Sequence, residues 1–179
     1  MSARENVALI GFMGTGKSSV GRLIAQKLGW RFCDTDRIVE QNERREISAI
    51  FAAEGEAFFR ERETAALASL QNSERQIIAT GGGIVTRAEN VSLLREMSFV
   101  VWLDASEEVI FERVSRNTKR PLLRTENPRG TIATLLAQRR PLYENAAHFT
   151  IETSSQSHEE IAEAIMARAR EFFASHSVG

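Results

Sequence analysis

The run Gly11-Phe12-Met13-Gly14-Thr15-Gly16-Lys17-Ser18 sets three glycines, an ammonium and a hydroxyl directly after the apolar stretch Val7 to Ile10. These residue types at this spacing suit a triphosphate, whose crowded charges need many donors and no side chains in the way. Gly11, Gly14 and Gly16 let the backbone approach, and successive N–H groups turn inward as an anion-binding nest. Lys17 can reach the β- and γ-phosphates, and Ser18 carries the hydroxyl that ligates Mg2+ in P-loops of this pattern. Val20, Leu23, Ile24 and Leu28 follow at helical spacing, which would put the phosphates on a helix N-terminus and its dipole. A glycine-rich turn ending by chance in Lys-Ser is the bland alternative. Strand, loop and helix in the required order argue against it.

Two carboxylates stand two residues apart in Asp34-Thr35-Asp36, at the carboxyl end of a second apolar stretch. In an extended segment both face the same side. One could hold Mg2+ through water, since Mg2+ gives up its hydration reluctantly. The other could accept a substrate hydroxyl and take its proton during phosphoryl transfer. The competing reading is that Asp36 only caps a helix starting near Arg37. Thr80-Gly81-Gly82-Gly83 closes a third stretch, and three bare residues there suit a ligand wall with the Gly82 N–H as donor, or else a sharp turn. Arg60, Arg120, Arg139 and Arg140 could each pair bidentately with carboxylate or phosphate. Spacing does not select among them, and a solvated surface is the alternative for each. His148, His158 and His176 have neither ligand spacing nor a triad context and read as structural or exposed. Phe51, Phe58 and Phe59 cluster near Arg60 and could line a pocket.

Strands are predicted at Val7 to Ile10, Arg31 to Cys33, Gln76 to Thr80, Phe99 to Leu103 and Phe149 to Glu152. Helices are predicted from Lys17 to Leu28, Ile47 to Leu70, Arg87 to Arg95, Glu107 to Arg116, Thr131 to Asn145 and His158 to Phe173. Such alternation, with nearly continuous apolar strands, indicates an α/β fold whose parallel sheet is covered on both faces. Ligands of such sheets bind beyond the carboxyl ends of the strands. Arg116 to Gly130 is the least regular segment, and a polar stretch of that length inside a compact domain suits a functional loop.

With 179 residues and 42% hydrophobic content, the chain is expected to form a single domain over residues 1–179. A formal net charge of -1 argues against a surface that coats nucleic acid. Cys33, the one cysteine, excludes an intramolecular disulfide and is expected in the core; no Cys/His cluster has zinc spacing. No segment approaches the roughly 18 apolar residues that span a bilayer, nor does the N-terminus carry an apolar signal segment, so a soluble cytoplasmic protein is expected.

Taken in order, Gly11 to Ser18, Asp34-Thr35-Asp36, Phe51 with Gly55-Glu56 and Phe59-Arg60, Gly81-Gly82-Gly83, Arg120-Pro121-Leu122-Leu123 and Arg139 before Pro141-Leu142-Tyr143 resemble shikimate kinase over nearly the whole chain. The resemblance implies a five-stranded parallel sheet in a three-layer α/β/α, nucleoside monophosphate kinase-like P-loop fold, acting as a monomer. It implies ATP and shikimate as substrates, with transfer of the γ-phosphoryl group to the 3-hydroxyl on the route to chorismate and aromatic amino acids. Gly14, Thr15, Gly16, Lys17, Ser18 and Ser19 would hold the ATP phosphates; Ser18 would ligate Mg2+, and Asp34 would hold it through water. Asp36 resembles the residue that contacts the shikimate hydroxyls and acts as base, within a substrate-binding region of about residues 34–63. Arg60 and Arg139 resemble the pair that grips the carboxylate, with Gly82 a backbone contact. Arg120 resembles a lid arginine that crosses to the phosphates from a lid of about residues 116–130, while Arg113 and Gln156 match positions near the adenine.

Two other classes are to be weighed. A gluconate-type or nucleoside monophosphate kinase would share the scaffold, but a nucleotide acceptor needs a base-recognition pocket where this chain has a Phe and Arg cluster. A non-enzymatic nucleotide switch would leave Asp36, Arg60 and Arg139 idle.

Overall fold

Val7, Ala8, Leu9 and Ile10 are completely buried and form most of β1 (Asn6–Ile10), the middle strand of the sheet. A strand apolar on both faces needs a neighbour on each edge and a layer above and below. The computed structural model, which describes residues 5–116 and 125–176, supplies both. β2 (Arg31–Asp34), β3 (Gln76–Ala79), β4 (Phe99–Asp104) and β5 (Phe149–Glu152) complete a five-stranded sheet. Its order is β2-β3-β1-β4-β5, and every pairing is parallel.

The period-two alternation of strands then divides the core. Val7, Leu9, Ile77, Val101 and Leu103 pack with Val20 and Ile24 of α1 (Lys17–Leu28) and with Ile161 and Ile165 of α7 (His158–His176). Ala8, Ile10, Ile78, Val100 and Trp102 pack on the other face. They meet Leu94 of α4 (Ala88–Met97), Ile110 of α5 (Glu107–Ser115) and Leu136 of α6 (Pro128–Ala146). This is the expected three-layer α/β/α arrangement. Buried polar side chains sit at its amino-terminal edge, and among them Asn6 donates to the carbonyls of Ser73 and Met97 and accepts from Gln76 N–H, tying β1 to both flanks.

Three elements depart from the sequence-based expectation. Asp34-Thr35-Asp36 is not an extended segment with two carboxylates on one side, because α2 (Thr35–Glu43) starts directly after β2. Asp34 is its N-cap: Oδ1 accepts from Asp36 N–H at 3.0 Å and Arg37 N–H at 3.3 Å, supplying the partner that first-turn amides lack. The helix expected from Ile47 to Leu70 is broken. In α3 (Ile47–Ala68), Gly55 has φ 83 and ψ 178, a conformation open essentially only to glycine, and it divides the element in two. A short 3-10 turn, Ile84–Thr86, follows the glycine triplet. Asn127 caps α6 from its side chain, so that helix begins at Pro128, inside the stretch expected to be irregular.

Candidate active site

The P-loop leaves the carboxyl end of β1 and feeds α1. Gly11, Gly14 and Gly16 all have positive φ, which a non-glycine residue would adopt only under strain. A side chain at Gly11 would also overlap the carbonyl of Leu103, so the first glycine is required by space as well. Thr15 Oγ1 donates to Phe12 O at 2.8 Å, and the largely buried Lys17 bends back so that Nζ donates to Gly11 O and Phe12 O at 2.7 and 2.8 Å. The ammonium therefore lies over the loop that it is expected to serve. A cavity of about 190 Å³ is lined by Gly14, Gly16, Lys17, Ser18 and Ser19 of this loop together with Asp34, Asp36 and Thr80.

Asp34 has two tasks. While Oδ1 caps α2, Oδ2 lies 3.3 Å from the Ser18 hydroxyl, which donates to it. A hydroxyl and a carboxylate oxygen facing one phosphate cavity form a hard, all-oxygen donor pair, which fits Mg2+. No group of three or more His, Cys, Asp or Glu side chains among the described residues could hold a metal.

A second cavity, about 530 Å³, opens beside the first. Its walls come from α2 (Asp36, Glu40), both halves of α3 (Phe51, Phe59, Arg60, Glu63), the glycine triplet and Arg139 of α6. The two cavities share Met13, Asp36, Gly81 and Gly82. Arg60 Nη1 donates to Glu63 Oε2 at 2.8 Å, and its other nitrogens meet Glu56 Oε1 at 3.2 and 3.3 Å. Burial of Arg60 works against its charge, but Glu63 and Glu56 outweigh it and strengthen proton retention. Burial pushes the fully enclosed Glu63 carboxyl upward, opposed by Arg60, Arg139 and Arg87. The Arg60 guanidinium 2.8 Å away opposes that rise and itself stays charged, since Arg does not release its proton. Arg139 is nearly enclosed, lies 5.6 Å from the Phe12 ring centroid and stands over Gly82.

The structure separates residues that spacing could not. Arg140 is bonded to Asp104 Oδ2 at 2.9 Å and Ala105 O at 3.2 Å, so it fastens α6 to the end of β4. Phe51 and Phe59 line the second cavity with ring centroids 4.8 Å apart, whereas Phe58 is covered by Arg45 and Arg62 instead. Arg113 bridges Gly14 O (3.1 Å) and Thr153 O (3.4 Å), joining the P-loop to the segment after β5. In that segment the Gln156 amide donates to Glu152 O at 2.6 Å. His158 stands exposed beside Gly16, His148 is half-buried and accepts from Val100 N–H, and Cys33 lies in the core. Arg120, and most of the segment expected to be a lid, lie outside the described residues.

Known proteins can now be set beside this geometry. A sequence model described as shikimate kinase matches residues 13–170. The chain belongs to the shikimate kinase family. It is 49% identical over 162 residues to the shikimate kinase of Thermodesulfovibrio yellowstonii, covering 90% of this chain and 93% of that one. The shikimate kinase of Symbiobacterium thermophilum is 45% identical over 168 residues, 93% of this chain and 97% of the relative. Among solved structures, the shikimate kinase from Acinetobacter baumannii in complex with shikimate superposes with TM-score 0.89 at 38% identity, covering 99% of this chain and 97% of that one. A gluconokinase from Sinorhizobium meliloti shares the fold, with TM-score 0.66, but only 22% of its sequence, over 95% of this chain and 94% of its own. The chain is thus an ATP-dependent kinase with shikimate as acceptor.

Two side chains at the candidate site escaped the sequence reading. Glu63 is one, although its spacing three residues after Arg60 on a helix was a usable signal for an ion pair. Tyr143 is the other. It is wholly buried and donates from its hydroxyl to Gly82 O, a contact no sequence spacing announces.

Proposed function

We propose that the smaller cavity holds the ATP phosphates and the larger one shikimate, and that the γ-phosphoryl group passes to the 3-hydroxyl across their shared wall. The observation that carries this reading is that wall: Met13, Asp36, Gly81 and Gly82 belong to both cavities. Arg60 and Arg139 enter the larger cavity from different helices and can clamp a carboxylate between them. Asp36, at the junction, orients the attacking hydroxyl and accepts its proton as the bond to phosphorus forms and ADP leaves. Lys17 exchanges its bonds to Gly11 O and Phe12 O for phosphate oxygens. Mg2+, held by Ser18 Oγ and through water by Asp34, would neutralise phosphate charge. On the resemblance, Arg120 adds a further positive charge from a lid at about residues 116–130, and Arg113 and Gln156 flank the adenine. The enzyme works as a monomer in this reading, since Leu142 is the sole large apolar side chain markedly exposed among the described residues.

The test is ADP production with Mg2+ and ATP. Shikimate is expected to stimulate it strongly, gluconate and nucleoside monophosphates not. Asp36→Asn is expected to lower kcat by about a hundredfold or more; a loss confined to KM would reduce Asp36 to a positioning role. Limited proteolysis near residues 116–130 is expected to slow when ATP and shikimate are both present, and unchanged cleavage would remove the lid.

A further inference from the structure

Gly82 and Arg139 reach the acceptor cavity from separate parts of the chain, one after β3 and one on α6, and a single hydroxyl stands between them. Tyr143 lies one helical turn after Arg139, is fully buried, and rests against Trp102 with centroids 5.7 Å apart. Its hydroxyl donates to Gly82 O at 2.5 Å. Arg139 faces the same phenol, and although that charge favours the phenolate, burial prevails and pushes the group up to about 12. The phenol therefore stays a donor at any working pH.

The consequence for the glycine triplet is directional. Gly81 O accepts from Ile84 N–H at 3.2 Å and Gly82 O from Tyr143. In a trans peptide the amide hydrogen points opposite to the carbonyl, and the chain has no cis bonds among its described residues. With both carbonyls held, the N–H groups of Gly82 and Gly83 are turned the other way, and both glycines line the acceptor cavity. We infer that Tyr143 is a positioning residue for the acceptor: its hydroxyl locks the Gly82 peptide and the Arg139 side chain into one receptor for shikimate. It touches neither the phosphates nor the reacting atoms.

This inference rests on the acceptor site proposed above. Tyr143→Phe keeps the ring against Trp102 and removes only the hydroxyl. We expect KM for shikimate to rise about tenfold, with KM for ATP within about twofold of wild type. Asn6→Ala, which loosens the opposite edge of the sheet, serves as a purely structural comparison and is expected to lower Tm without this split. A shikimate KM within about twofold of wild type, or both KM values rising together, overturns the inference. Should Tyr143→Phe fail to fold, the chain offers a second probe, because Tyr143 is its only tyrosine. Uniform incorporation of 3-fluorotyrosine labels this one site, and its 19F resonance is expected to move on adding shikimate and to stay on adding ADP; a resonance unmoved by saturating shikimate overturns the inference. If Arg60→Lys and Arg139→Lys both leave shikimate KM unchanged, the acceptor site itself is wrong. If they raise it while Tyr143→Phe does not, only the role of Tyr143 falls.

Discussion

A methyl group on Gly83 would overlap the Arg60 guanidinium, and one on Gly81 would lie 2.6 Å from Glu63 Oε1 and 2.8 Å from Asp36 Oδ1. Neither glycine has positive φ, so the requirement is for room rather than for an unusual backbone. The larger cavity is packed around absent side chains. Gly83→Ala is expected to push Arg60 off Glu63 and Glu56 and raise shikimate KM about tenfold or more, equivalent to about 1.4 kcal/mol, while KM for ATP holds. Gly81→Ala drives a methyl toward two carboxylates, one of them the proposed base, so its loss is expected mainly in kcat. Steady-state kinetics with both substrates varied reads the two effects separately. At this scale the sequence was legible where geometry is local. The P-loop glycines and Ser18 follow from spacing along a single turn, but the choice of Arg139 over Arg140 does not. Two adjacent residues on a helix point about 100° apart, and only the packed neighbours, Gly82 for one and Asp104 for the other, decide which faces the larger cavity.

Elements were most legible in the strands, of which the three inner ones are buried on both faces and the two edge strands only in part. Each of the five strands is a short run rich in apolar residues, and each was found within about a residue of its expected bounds. α2 was weighed only as a helix near Arg37 capped by Asp36, because it is short and polar and starts directly after β2, where Asp34 takes part in a strand, a cap and a candidate cation site at once. The break in α3 was missed because glycine inside a helical pattern is tolerated often enough to be passed over. Its effect is large: Gly55 turns the second half of α3 so that Phe59, Arg60 and Glu63 line the cavity. A methyl group there meets nothing within 4 Å, so Gly55→Ala tests backbone strain alone. Positions of this kind cost about 1–3 kcal/mol, which for a domain of this size lowers Tm by roughly 2–12 °C. Calorimetry should show that loss together with a raised shikimate KM. Gly29→Ala, at the left-handed C-cap of α1 and also without a near neighbour, should lose stability without moving KM. Equal KM effects in both variants would mean that general loosening, not the bend, controls the acceptor site.

Two of the molecule's three buried cores lie on opposite faces of one sheet and the third joins α2 to α3, and His148 is one source of its pH response outside the active site. His148, just before β5, accepts the N–H of Val100 on Nδ1, packs against Phe99 and Phe172, and faces Arg95 and His176, both potential cations. Burial first, then Arg95 and His176, lower its pKa from 6.5 to about 4. A proton on Nδ1 would also abolish the acceptor that Val100 uses. The folded state therefore refuses a proton that the unfolded chain takes up, and the sign follows by linkage. The stability that neutral His148 contributes is complete above about pH 6.5 and is lost progressively as pH falls toward about 4. His148→Asn places an amide oxygen near the Nδ1 position but cannot titrate. It should be less stable than wild type at pH 7, having lost the ring contacts, and the gap should narrow steadily from pH 6.5 to 4.5. Carboxylates that titrate over the same interval are common to both proteins, so the difference between their denaturant midpoints isolates the histidine. A constant gap across that interval would show that His148 protonates as readily folded as unfolded. The lower acid stability of the enzyme would then have to come from its carboxylates.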